Sequence, residues 1–115
     1  VMLLNDIQTW TAACRYDHLI PDRGVAVLLE DGTQAALFRL ADGSLHAVGN
    51  VDPFSGAAVL SRGIVGDRGG RPVVQSPIKK QAFGLSDGVC LEDPGVTIPV
   101  YATRARTDGM IEIGY

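Results

Sequence analysis

The chain is poor in the residues that hold metals and has no long apolar run. Only two cysteines and two histidines occur in 115 residues. His18 and His46 are separated by 27 intervening residues, and neither has a Cys or His at ligand spacing, which argues against a structural zinc site. Cys14 and Cys90 read as buried reduced thiols rather than a disulfide, because the sequence shows no export signal. The longest unbroken apolar stretches, such as Val25 to Leu29, are five residues, against the ~18 that a membrane-spanning helix needs. The opening Val1-Met2-Leu3-Leu4-Asn5-Asp6 has neither a basic start nor an apolar core of signal-peptide length. The expected location is therefore the cytoplasm, with no membrane association.

Catalytic patterns are equally scarce. There is no Ser-His-Asp order and no pair of carboxylates placed for acid–base work. The glycines between Gly63 and Gly70 lack the Gly-x-Gly-x-x-Gly pattern and the following helix that would cradle phosphate; they read as shaping a long hairpin connection. A net charge of -3 and the lack of any basic motif interleaved with aromatics argue against nucleic acid.

What is present is a regular alternation of short apolar runs and turns. Asp-Gly pairs at Asp31, Asp42, Asp87 and Asp108, and the pair Gly69-Gly70, supply the positive φ that tight hairpins require. Between them the segments 25–30, 34–40, 45–48, 72–74, 96–102 and 110–113 are rich in β-branched and other apolar residues. Thr9 to Tyr16, with Thr on both sides of Trp10, also reads as strand. Alternation in 25–30 predicts a half-exposed strand, and the two apolar faces of 34–40 predict a central one. The sum is an all-β sandwich or barrel. With no linker or repeat, residues 1–115 are expected to form one domain, large enough to bury roughly two-thirds of its unfolded surface without a metal or disulfide.

Charge is uneven. From Ser61 to Ala82 there are five cations, Arg62, Arg68, Arg71, Lys79 and Lys80, against the single carboxylate of Asp67. Such an island on an acidic chain is either a solvated face or a docking surface for an acidic partner.

Two boxes lie in and beside this island, Asp52-Pro53-Phe54-Ser55-Gly56 and Ser76-Pro77-Ile78-Lys79-Lys80-Gln81-Ala82-Phe83. With PFSGAAVLSRGIVGD from Pro53 and GVCL at 88–91 they form one ordered series of about forty residues. This series resembles the small subunit of assimilatory NAD(P)H-dependent nitrite reductase, a Rieske-like protein without its cluster. A Rieske centre takes thiolates on one iron and imidazoles on the other. Carried onto this sequence, the ligand positions are Asp52 and Phe54 in the first loop and Ser76 and Lys79 in the second, and none is a cysteine or histidine.

The resemblance implies a Rieske-like fold of small antiparallel sheets, with residues 52–83 forming a ligandless version of the cluster-binding loops. It implies no cofactor, metal or catalytic residue in this chain, and a partner large subunit holding FAD, a 4Fe-4S cluster and sirohaem. The activity implied is support for reduction of nitrite to ammonia in nitrate assimilation. Phe54 is either hydrophobic filling or an interface anchor; Asp52 and Ser76 read as caps of their own turns; Lys79 and Lys80 serve solubility or steer a partner. The candidate docking residues are Phe54, Arg62, Ile78, Lys79 and Lys80. A Rieske-type ferredoxin with the same fold, or a free-standing adaptor, are the other readings. Colour of the purified protein separates the first, and neighbouring genes the second.

Overall fold

The computed structural model describes residues 7–115, so the reading of the first six residues lies outside the described part. Among the described residues, nine strands form two antiparallel sheets. β1 (Trp10–Arg15), β2 (Arg23–Leu28), β3 (Gln34–Arg39), β4 (Leu45–Gly49), β8 (Val100–Ala105) and β9 (Met110–Gly114) make a six-stranded sheet in the order β1-β9-β8-β4-β3-β2. β5 (Ile64–Arg68), β6 (Arg71–Gln75) and β7 (Ala82–Gly84) make a three-stranded sheet in chain order. Short 3₁₀ turns at Tyr16–His18 and Leu60–Arg62 are the helical elements among the described residues.

The four Asp-Gly pairs share one device. Each aspartate Oδ1 accepts the amide two residues on, from Thr33, Ser44, Val89 and Met110, while Gly32, Gly43, Gly88 and Gly109 take φ of 88°, 87°, 73° and 86°. Side-chain capping of this kind fixes the bend without borrowing a ladder hydrogen bond. Three of the pairs join β2 to β3, β3 to β4 and β8 to β9.

As its sequence predicts, β3 is central and buried on both faces. Ala35 and Leu37 join Leu19, Val27, Leu29, Ile111 and Ile113 in one core. Ala36 and Phe38 point the other way, into a second core with Leu60, Val74, Phe83, Leu85 and Cys90 that couples the two sheets. Both cysteines are free thiols, but only Cys90 is buried as expected, within the second core; Cys14 is half-buried, packed against the first from an outer strand. Burial raises the pKa of Cys14.

Two expectations are corrected. The segment 64–68 is not a glycine-shaped connection but strand β5, with Ile64 opposite Gln75 and Arg68 opposite Arg71. It is an edge strand with little burial, so the apolar alternation that marks a half-buried strand is missing. The strand expected from Val96 begins only at Val100. Pro99 has no amide for a ladder, and the residues before it pair elsewhere: Thr97 bridges Val89, and the Cys90 amide donates to the Val96 carbonyl. β7, at three residues, is too short to carry a pattern.

Candidate functional site

The two boxes fold into a matched pair of loops. In the first, the Asp52 amide donates to the Ala57 carbonyl at 2.9 Å and the Gly56 amide donates back to the Asp52 carbonyl at 2.7 Å. In the second, the Ser76 amide donates to the Gln81 carbonyl at 2.9 Å and the Lys80 amide to the Ser76 carbonyl at 3.2 Å. The fifth residue of each loop is left-handed, Gly56 at φ 76° and Lys80 at φ 69°. The leading side chain of each also accepts an amide two residues on: Asp52 Oδ1 from Phe54 at 2.8 Å, and Ser76 Oγ from Ile78 at 3.2 Å.

The leading residues then join the loops. The Ser76 hydroxyl donates to Asp52 Oδ2 at 2.5 Å, with Asp52 and Ser76 at 0% and 1% exposure. Both act as turn caps, as read from sequence, but the bond between them carries more, because it ties together loops 24 residues apart. Burial pushes the Asp52 carboxyl up, yet the Ser76 hydroxyl, the Phe54 amide and Ser55 outweigh it and hold the pKa below its ordinary value. The buried group is a carboxylate stabilised by hydrogen bonds, with no cationic partner among the described residues.

Phe54 turns inward. It is half-buried, with its ring centroid 6.2 Å from that of Phe83 at an interplanar angle of 41°, and packs against the core that couples the sheets. Lys79 is exposed. Lys80 is exposed too, but its Nζ donates to the Pro77 carbonyl at 2.9 Å, so the two lysines are not equivalent. Ile78 is 49% exposed and Arg62 lies exposed at the end of its 3₁₀ turn.

Strand register brings these residues to one end of the small sheet. Ile64 pairs with Gln75 and Gln75 with Ala82, so Arg62, just before β5, and the loop 76–81, between β6 and β7, lie beyond the same edge. The Asp52–Ser76 bond adds the first loop. Ile64, at 66% exposure, joins Ile78 as exposed apolar surface there.

Sequence reasoning missed three supports of this end. Asn50, 1% exposed, accepts the Ser61 amide at 2.7 Å and donates to Gln34 Oε1 at 3.0 Å, anchoring the chain as it enters the first loop. Glu92 accepts the Ala82 amide at 2.9 Å and meets Arg68 at 3.4 Å; the Ala82 bond foremost lowers its pKa. Arg23 lines the same cleft as Arg62. Isolated Asn, Glu and Arg residues give no spacing signal, and only the fold reveals what they face.

His18 is exposed in a 3₁₀ turn, and His46 is a half-buried strand residue opposite Phe38. Among the described residues no three His, Cys, Asp or Glu side chains converge as metal ligands.

Two loops joined at their heads, on a small sheet packed against a larger one, define the Rieske class of domain. The residues of these loops do not fit an iron-sulfur cluster: Asp52 and Ser76 satisfy each other, Phe54 packs inward on Phe83, Lys79 brings a cation, and none of the four offers a thiolate or an imidazole. The family model of the Rieske-like [2Fe-2S] domain matches residues 9–114. The chain is 40% identical over 105 residues to the NADH nitrite reductase small subunit of Escherichia coli K12, covering 90% of this chain and 95% of that one. It superposes with a TM-score of 0.92 on a crystal structure described as an NADH-dependent nitrite reductase small subunit from Mycobacterium tuberculosis, at 71% identity over 96% and 97% of the two chains. A stretch of 79 residues, 69% of this chain, is 44% identical to part of the nitrite reductase [NAD(P)H] large subunit of Klebsiella oxytoca, where it spans 8% of that chain. The chain belongs to the Rieske-like small subunits of nitrite reductase.

Proposed function

We propose that this chain is the small subunit of a cytoplasmic NAD(P)H-dependent nitrite reductase and carries no redox centre. It supports reduction of nitrite to ammonia in nitrate assimilation by docking on a large subunit that holds FAD, a 4Fe-4S cluster and sirohaem. The observation that carries this reading is the buried Asp52–Ser76 hydrogen bond at the two thiolate positions. Loops so closed have no ligand set for iron and pass no electrons through a Rieske centre, which leaves the end of the domain as a surface for binding. The Klebsiella large subunit supports the partnership, since part of its own chain is similar to this one.

In this reading Phe54 firms the loop from within, Ile78 supplies apolar contact, and Arg62, Lys79 and Lys80 form a charged rim. An apolar centre within a polar rim is the usual anatomy of a docking patch. Co-purification with the large subunit, followed by nitrite-dependent NAD(P)H oxidation with and without the chain, tests the proposal. Stable association and a loss of turnover without the chain are expected, with no iron retained by the small subunit. Failure to associate, or stoichiometric iron in the isolated chain, contradicts it.

A further inference from the structure

Of the eight arginines in the chain, six have partners within it. Arg15, Arg68, Arg71, Arg104 and Arg106 are in ion pairs, and Arg39 lies over the Tyr16 ring and donates to the Leu19 carbonyl. Among the described residues, Arg23 and Arg62 have neither an ion pair, a side-chain hydrogen bond nor a ring contact. Arg23 opens β2 and Arg62 ends the 3₁₀ turn before β5, and both line the same cleft, of about 440 Å³.

The cleft lies between the start of β2 and the start of β5, each an edge strand of its own sheet. Its narrow base depends on glycine: a Cβ on Gly24 would lie 2.5 Å from the Phe38 ring and 2.7 Å from the Ser61 carbonyl oxygen, and one on Gly63 would lie 2.5 Å from the Gln75 carbonyl oxygen. Side chains therefore line the mouth rather than fill the base. Asp22 is the one carboxylate of the lining, and its Oδ1 is committed to the Ala41 amide at 3.0 Å. Ile64, 66% exposed, stands at the rim.

We propose that this cleft receives a carboxylate-bearing extended segment of the nitrite reductase large subunit, with Arg23 and Arg62 gripping the acidic side chain. Two guanidinium groups without an ion-pair partner among the described residues line one cleft, and a carboxylate entering it would accept paired, geometrically fixed hydrogen bonds from them. The edge strands offer unpaired peptide groups for an extended chain, and Ile64 offers apolar cover. Arg23 thereby extends the docking surface from the loop end onto the large sheet. The inference rests on the docking reading above and names the chemistry of the partner.

Binding kinetics of the full chain with the purified large subunit test it, using Arg23→Gln, Arg62→Gln and the corresponding Lys variants. Both arginines are exposed, so unchanged thermal unfolding serves as the folding control. Each Gln variant is expected to raise Kd by about tenfold or more, mainly through the off-rate, as loss of a closely paired interfacial charge does. The Lys variants should recover the on-rate but not the off-rate, because lysine keeps the charge and lacks the fork. Gln variants indistinguishable from the unaltered chain, or full recovery of the off-rate by lysine, would overturn the cleft. If the Gln variants are silent while Lys79→Glu with Lys80→Glu weakens binding, the cleft fails and the docking reading stands. No complex with the unaltered chain discards both.

Discussion

Asp52 holds the two loops together from a buried position. Its carboxylate is fully buried yet takes bonds from the Ser76 hydroxyl and the Phe54 amide, so removing either member of the Asp52–Ser76 pair strands a buried polar atom. Asp52→Asn and Ser76→Ala should each cost about 1–3 kcal/mol by denaturant unfolding, and the double variant less than their sum, since both break one contact. The pH dependence has a definite sign. With a folded pKa below the unfolded one, the contribution of Asp52 is complete above the unfolded value and is lost as pH falls through the folded value. Thermal unfolding followed downward from about pH 7 to about pH 3 should show a shallower acid loss in Asp52→Asn than in the parent. Phe54, half-buried on Phe83, should behave as filler: Phe54→Ala is expected to lower stability by about 1–3 kcal/mol, under the usual cost for a fully buried ring. Unchanged stability with faster dissociation from the large subunit would make it an anchor instead. At this scale the sequence made the two capped loops legible, because Asp before Pro and Ser before Pro mark such turns. It left the Asp52–Ser76 bond invisible, since no spacing rule tells that two loops meet head to head.

Elements were legible wherever local chemistry decides them. The Asp-Gly turns and the doubly apolar β3 stand where the sequence puts them, because a capped turn and two-faced burial both leave a pattern. β5 and the start of β8 escaped for opposite reasons: β5 is exposed on an edge and carries no pattern, whereas 96–98 carry an apolar pattern that Pro99 keeps out of the large sheet. Gly63 marks the join between β5 and its 3₁₀ turn, and its missing side chain has a purpose. A Cβ there would lie 2.5 Å from the Gln75 carbonyl oxygen and 2.7 Å from Val74 Cγ2, backbone and core atoms that move only with the sheet. Gly63→Ala should therefore cost about 1–3 kcal/mol in thermal or chemical unfolding. An alanine tolerated without loss would mean that β5 sits looser on β6 than its register indicates.

On a chain of net charge -3, Arg62, Lys79 and Lys80 gather at the loop end, while Arg68 and Arg71 sit at the far end of the small sheet in ion pairs. Rim charges of this kind steer encounter and are screened by ions. Lys79→Glu with Lys80→Glu should slow association with the large subunit, more at low salt than at high, while leaving dissociation largely unaltered; stopped-flow or surface binding kinetics read both. Most of the effect should follow Lys79, because Lys80 Nζ is bonded to the Pro77 carbonyl. The most direct measurement is amide hydrogen exchange on this chain, free and in complex with the large subunit. Protection on binding is predicted at the paired loops, residues 52–57 and 76–81, and along 62–65, with the β8–β9 hairpin unchanged. Protection confined to that hairpin or to β1, with the loops exchanging as in the free chain, would contradict the account.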